Sequence, residues 1–172
     1  MFKIAITGPE STGKSKISQE LASNFACKWV PEFAREYLEA RKGIYQEEDL
    51  LLILKGQLEA EKKAEKELND FLICDTDPLV IKIWSEVKYG RIDSEIEEAW
   101  KKHHYDLYLL MYPDIAWTDD PLRESKEIRM TLFDLYQKEL EKLNRPYIVI
   151  KGKGEERKSN SLKAINYFFT RP

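Results

Sequence analysis

The chain has 172 residues, 42% of them hydrophobic and 34% charged, which supplies one sizeable core at about the length of one domain. A formal net charge of −3 excludes the strongly basic balance of a dedicated nucleic-acid binder. No run approaches the roughly 20 apolar residues that span a bilayer, so neither nucleic acid nor membrane is the expected partner. The two cysteines, Cys27 and Cys74, lack metal-ligand spacing and exclude a disulfide scaffold. With no signal-like leader, the cytoplasm is the expected location.

The first apolar run, Phe2 to Ile6, reads as a strand. It leads into Gly8-Pro9-Glu10-Ser11-Thr12-Gly13-Lys14-Ser15, which fits G-x-x-x-x-G-K-[ST] at every fixed position. Lys16 continues into an amphipathic helix expected over Lys14 to Phe25. Gly8 and Gly13 let the backbone turn so that consecutive N–H groups converge on an anion. The helix adds unpaired N–H groups and the positive end of its dipole. Lys14 supplies a mobile positive charge for the β- and γ-phosphates, and Ser15 a hydroxyl for Mg²⁺. The reading is a nucleoside-triphosphate site, with ATP and Mg²⁺ as the expected cofactors.

A second strand is expected over Lys28 to Phe33. Glu32 and Arg35 follow it, where α/β sheets bind ligands. Glu32 is a candidate base for an attacking hydroxyl and Arg35 a candidate holder of a polar substrate group; a surface ion-paired turn is the competing reading. The next helix, expected over Glu47 to Leu68, contains a charge-dense stretch around Leu58, Ala64 and Leu68 that reads as a solvated face.

The third strand, Phe71 to Cys74, runs into Asp75 and Asp77. Asp75 is the candidate for the metal or its water shell, and Asp77 for substrate contact or the base, unless it merely caps the helix that follows Pro78. That helix, Leu79 to Lys88, carries Trp84, and the next, Ser94 to His103, shows a capping-box pattern in Ser94 and Glu97. His103 and His104 close it without metal-like spacing. After a fourth strand, Asp106 to Met111, comes a lid region at about 114–130 with Trp117, Arg123 and Arg129, then a helix over Ser125 to Leu143. A lid arginine stabilises the charge of a transferring phosphoryl group; Arg123 is preferred, though either arginine can pair with Glu124 or Glu127 instead. Trp84 and Trp117 are the aromatic candidates for a planar substrate ring, with core packing as the default. Beyond the last strand, Tyr147 to Ile150, a loop with Gly152, Gly154 and Arg157 lies where such folds cover a nucleotide base, before a helix over Ser161 to Phe169. Alternating apolar runs and amphipathic stretches predict an α/β, three-layer P-loop NTPase fold with a mainly parallel five-stranded sheet and a lid.

In order along the chain, the segments TGPESTGKS, PEFAREYLE, ICDTDPLVIKIWSEVKYG, PDIAWTDDPLRE and KGKGEERKS resemble the ribosylnicotinamide kinase domain of the NadR-type family over nearly the whole sequence. The resemblance implies transfer of the ATP γ-phosphate to the 5′-hydroxyl of nicotinamide riboside, a salvage step toward NAD. The sequence given starts at the kinase strand, so adenylyltransferase and repressor activities are not expected. It departs from the family pattern at Pro121, where a glycine is expected and where the ring stiffens the turn before Leu122-Arg123. The residues alone leave two other readings open: a kinase for another small metabolite, such as a nucleoside or sugar acid, and a non-enzymatic ATP sensor. Self-association is also left open.

Overall fold

The computed structural model describes residues 1–67 and 70–170. Five strands, β1 (Phe2–Thr7), β2 (Lys28–Val30), β3 (Phe71–Asp75), β4 (Leu107–Met111) and β5 (Tyr147–Ile150), form one sheet in the order β2-β3-β1-β4-β5. Each neighbouring pair is parallel, so the expected P-loop α/β architecture is met. The connecting helices are α1 (Lys14–Asn24), α2 (Phe33–Ala40), α3 (Glu47–Ala64), α4 (Pro78–Tyr89), α5 (Ser94–Lys102), α6 (Arg129–Lys142) and α7 (Glu155–Phe169). Among the described residues, no helix is long and apolar enough to cross a membrane.

Successive side chains of a strand point to opposite faces, so an apolar run buried on both sides feeds two cores. Ile4, Ile6, Leu107, Leu109 and Met111 meet Ile17 and Leu21 of α1 and Ala164 and Ile165 of α7. Their neighbours Ala5, Leu72, Cys74, Tyr108 and Leu110 meet Leu79, Ile83, Trp100, Leu132 and Leu140 on the other face. A third cluster, around Ala34, Leu50, Ile53, Leu54 and Ile81, packs α2, α3 and α4 together. The sheet order reverses direction at β1, with β3 on one side and β4 on the other. Such a switch point leaves a crevice beyond the carboxyl ends of the strands, the usual ligand position.

Several boundaries differ from expectation for local reasons. The second strand stops at Val30 because Pro31 has no N–H for the ladder, and Phe33 instead opens α2. Two turns carry too few periods for α2 to stand out in the sequence. The last helix begins at Glu155 rather than Ser161; Glu155 and Glu156 fill its first turn, where acidic groups suit the helix dipole. Asp93, not a Ser94–Glu97 box, caps α5, accepting from the Glu95 N–H at 2.7 Å. A reciprocal bond of the expected box type lies at α3, where Asp49 accepts from the Gln46 N–H at 2.8 Å. The third helix ends at Ala64, and Leu68 lies outside the described residues. The charge-dense stretch is not wholly a solvated face, because Glu61 within it is fully buried.

Gly56 of α3 lies against the ring of Phe33, and a Cβ there would sit 2.2 Å from Phe33 Cε1. Gly56→Ala gains about 1 kcal/mol of helix propensity but overpacks this contact at about 1–3 kcal/mol. The expected outcome is a net loss of stability, read as a lower midpoint in urea unfolding. A raised midpoint would show that α2 yields freely.

Candidate active site

The turn after β1 is built by backbone geometry. Gly8 has φ +123°, and a Cβ there would lie 2.9 Å from the Met111 carbonyl oxygen at the end of β4, so no side chain fits. Gly13 at φ +80° redirects the chain into α1. Thr12 Oγ1 donates to the Pro9 carbonyl at 2.8 Å and holds the arch from within. Lys14 Nζ spans the mouth of the loop, donating to the carbonyls of Gly8 at 3.0 Å and Pro9 at 2.9 Å.

A cleft of about 450 Å³ opens over this loop. Residues 8–16 form one wall; Glu32 and Arg35 from the start of α2, and Trp84 and Lys88 from α4, form another. Leu122, Arg123, Glu124 and Ser125 of the lid close it, and Val80, Ile83, Leu132 and Tyr136 give it an apolar floor. One end therefore offers N–H groups and cations, and the other offers apolar and aromatic surface.

Asp75 ends β3 beneath the loop and is 1% exposed. Burial and the nearby Glu32 charge raise its carboxyl to about 7, against the pull of the Ser15 hydroxyl, Lys14 and Arg35. Its Oδ1 is buried with no hydrogen-bond partner. An orphaned carboxylate oxygen beside a loop serine fits a divalent cation, whose positive charge would favour the ionised form. No group of three His, Cys, Asp or Glu residues assembles a cage among the described residues, so such an ion would draw its other ligands from phosphate and water. Thr76, the next residue, sits at φ +77°, a strained conformation for a β-branched residue that costs about 1–3 kcal/mol.

Asp77 is buried as deeply as Asp75. Its side chain is 1% exposed, accepts from the Thr7 hydroxyl at 2.7 Å and stands at the N-cap of α4, outside the cleft lining. Burial, opposed by the Thr7 hydrogen bond, raises it to about 7. The capping alternative describes its position in the chain; like Asp75 it lies outside the cleft lining, and its Oδ2 is buried with no hydrogen-bond partner.

Three more expectations shift. Arg157 is 2% exposed and spends its guanidinium on the carbonyls of Gly152 (2.7 Å), Thr12 (2.7 Å) and Tyr112 (2.9 Å) and on Asp114. It clamps the phosphate loop from behind rather than covering a base, and the Gly152 N–H is taken by Asp114 Oδ2 at 2.8 Å. Arg129 donates to the carbonyls of Ser11 at 3.2 Å and Ile115 at 3.1 Å. Trp117 lies outside the cleft lining, with its indole N–H on Asp119 at 2.8 Å and Arg129 stacked 5.6 Å from its ring.

The lid is seated on the loop. Glu10 accepts from the N–H groups of Glu124 at 3.1 Å and Ser125 at 2.9 Å, and Ser11 Oγ from the Thr118 N–H at 2.9 Å. Arg35 pairs with Asp120 at 2.9 Å, tying α2 to the same lid. Arg123 reaches the Thr118 carbonyl at 2.6 Å and remains on the cleft wall. The sequence reading missed Tyr45, which also lines the cleft. No motif announces it, and its partners Trp84 and Glu124 are 39 and 79 positions away.

A family described as an AAA domain matches residues 3–157. The trifunctional NAD biosynthesis/regulator protein NadR of Escherichia coli (strain K12) is 27% identical over 124 residues, covering 70% of this chain and 30% of the relative. The chain thus spans under a third of that relative's length. A NadR protein solved in complex with NR superposes with a TM-score of 0.86 at 21% identity, covering 99% of this chain and 52% of the other. The deoxyadenosine kinase of M. mycoides superposes with a TM-score of 0.66 at 17% identity over 96% of this chain and all of its own. These superpositions show the fold, and the NadR matches agree with the resemblance carried by the motifs.

Proposed function

The chain belongs to this AAA domain family, and we propose that it is a small-molecule kinase that transfers the γ-phosphoryl group of ATP to the 5′-hydroxyl of nicotinamide riboside, giving nicotinamide mononucleotide. The observation that carries the reading is one cleft that joins the phosphate loop to a pocket lined by Glu32, Arg35, Tyr45, Trp84 and Arg123. A kinase needs a triphosphate and an alcohol side by side, whereas a nucleotide sensor has no use for the second compartment. The NR-bound NadR neighbour supports the choice of alcohol.

The residues divide the work by position. The loop N–H groups and Lys14 bind phosphate oxygens and hold the transferring group against the acceptor. Arg123, on the lid wall, neutralises charge spreading over the equatorial oxygens. Glu32 takes the proton of the attacking hydroxyl; it lines the cleft beside Arg35, whereas the other carboxylates of the lining are engaged, Glu10 with the lid N–H groups and Glu124 with Lys88. Arg35 orients polar groups of the acceptor, its guanidinium already fixed by Asp120. Ser15 and Asp75 would hold Mg²⁺, which would supply Lewis-acid neutralisation of phosphate charge.

ADP release measured with nicotinamide riboside, adenosine, deoxyadenosine and gluconate tests the reading. Strong release with nicotinamide riboside is expected; release with deoxyadenosine or gluconate and none with nicotinamide riboside overturns it. Asp75→Asn is expected to lower kcat by about 100-fold, the loss of a preorganised charge at the phosphates, and to raise the Mg²⁺ concentration needed for half-maximal rate. Unchanged metal dependence would remove Asp75 from the metal site.

A further inference from the structure

One corner of the cleft already holds a cation. The Lys88 ammonium lies 4.1 Å from the centroid of the Tyr45 ring and 2.9 Å from each carboxylate oxygen of Glu124, and it donates to the Tyr45 hydroxyl. That hydroxyl accepts from Trp84 Nε1 at 2.9 Å and donates to Glu124 Oε2 at 3.1 Å. The rings of Tyr45 and Trp84 meet edge to face, 4.9 Å apart at 69°. All four residues line the cleft that contains the phosphate loop.

An aromatic face beside a carboxylate attracts positive charge, by the ring quadrupole and by direct Coulomb interaction. The occupant is exchangeable. Lys88 and Glu124 side chains are 34% and 52% exposed, an exposed ion pair contributes little net stability, and a lysine ammonium on its flexible stem is readily rehydrated. What replaces it matters. A neutral ring that pushes Lys88 aside leaves Glu124 without a counter-charge, whereas a cationic ring restores one.

We infer that Tyr45, Trp84 and Glu124 form the subsite for a positively charged, planar acceptor ring, and that Lys88 is an internal counter-cation that fills this subsite until such a ring displaces it. Lys88 and Glu124 together then discriminate charged from neutral rings. The inference rests on the proposed acceptor, because nicotinamide riboside carries a quaternary pyridinium nitrogen and ordinary nucleosides do not.

Calorimetric binding of 1-methylnicotinamide, a cation, and nicotinamide, its neutral counterpart, tests the subsite without turnover. Lys88→Met removes the competitor and should tighten the cation about two- to fivefold more than the neutral ring. Glu124→Gln should weaken the cation by a similar factor and leave the neutral ring unmoved. Equal effects on both probes, weaker cation binding by Lys88→Met, or no measurable cation binding by either protein overturns the inference. In kinetics, Lys88→Met should lower KM for nicotinamide riboside relative to its reduced, uncharged dihydropyridine form. Turnover of nicotinamide riboside with that ratio unchanged sinks the counter-cation and leaves the proposed kinase standing. A shift in cation binding without turnover of nicotinamide riboside keeps the subsite and sinks the proposed acceptor.

Discussion

Lys14→Ala is expected to lower kcat/KM for phosphoryl transfer by about two to three orders of magnitude, the usual cost of losing one preorganised charge at a developing anion. Stability should fall by no more than about 2 kcal/mol, or roughly 4–8 °C in Tm. Lys14 is half-buried, and its two bonds to the carbonyls of Gly8 and Pro9 are worth about 1 kcal/mol each in net terms. The loop keeps its arch through the Thr12–Pro9 bond and the Arg157 clamp on the Thr12 carbonyl. Lys14→Arg should not rescue activity, because a planar fork on a rigid guanidinium does not replace a compact ammonium inside a narrow loop. Coupled ADP release beside scanning calorimetry checks both halves. Near-parental activity in Lys14→Ala would mean that the loop is not a phosphate site.

The largest loss of stability is expected at Glu61. Its carboxylate is fully buried and receives the Tyr105 hydroxyl at 2.8 Å, with Lys3 Nζ at 3.2 Å and His103 Nε2 at 3.0 Å. Removing one member of a buried charge network leaves the others uncompensated, so Glu61→Ala should cost about 3–5 kcal/mol. For a chain of this length that is a fall of about 6–20 °C in Tm.

Glu61→Gln resolves the ionic part by its pH dependence. Burial pushes the Glu61 carboxyl up, but the His103 hydrogen bond, the Lys3 ammonium and the Tyr105 hydroxyl together bring it below its ordinary value of 4.5. A carboxylate depressed in the folded state contributes stability above its unfolded pKa and loses it as pH falls through the folded value. The gap between parent and Glu61→Gln should therefore be full above about pH 5 and narrow in more acidic solution. Asp75 and Asp77, raised to about 7, act in the opposite sense: their contribution is present in acid and fades as pH rises toward 7. Asp75 is common to both proteins, whereas the Glu61 charge helps to raise Asp77, so the difference between them reports Glu61 together with its coupling to Asp77. A gap that stays constant down to pH 3 would show that hydrogen bonding alone, not charge, holds the network.

The phosphate loop was legible because eight contiguous residues contain its whole geometry, and the spacing of Gly8, Gly13, Lys14 and Ser15 is the conformation. Asp75 was legible because its place at the end of an apolar strand is local. Asp77 was ambiguous for the same reason: two residues beyond Asp75, its setting depends on the strained turn at Thr76 and on the Thr7 hydroxyl, 70 positions earlier. Arg157 looked free in its loop, yet its partner Thr12 lies 145 positions earlier. Arg129 and Trp117 read as ligand contacts because nothing near them in the chain reveals that they serve the lid seat. Glu61 was hidden inside a run of charges that resembles any solvated face.

The sequence by itself determined the parts of this protein whose physics is local: the anion-binding turn, the alternating strands that bury both faces of the sheet, and the resemblance those segments carry together. Only the tertiary structure decided which charged groups are spent and which remain available. A side chain's donors are committed by whatever carbonyl or carboxylate the fold brings within about 3 Å, and those partners are scattered along the chain. Arg157 and Arg129 are consumed in holding the loop and Glu61 in the core, while Glu32, the Lys88–Glu124 pair and Arg123, one of whose donors is on the Thr118 carbonyl, line the cleft.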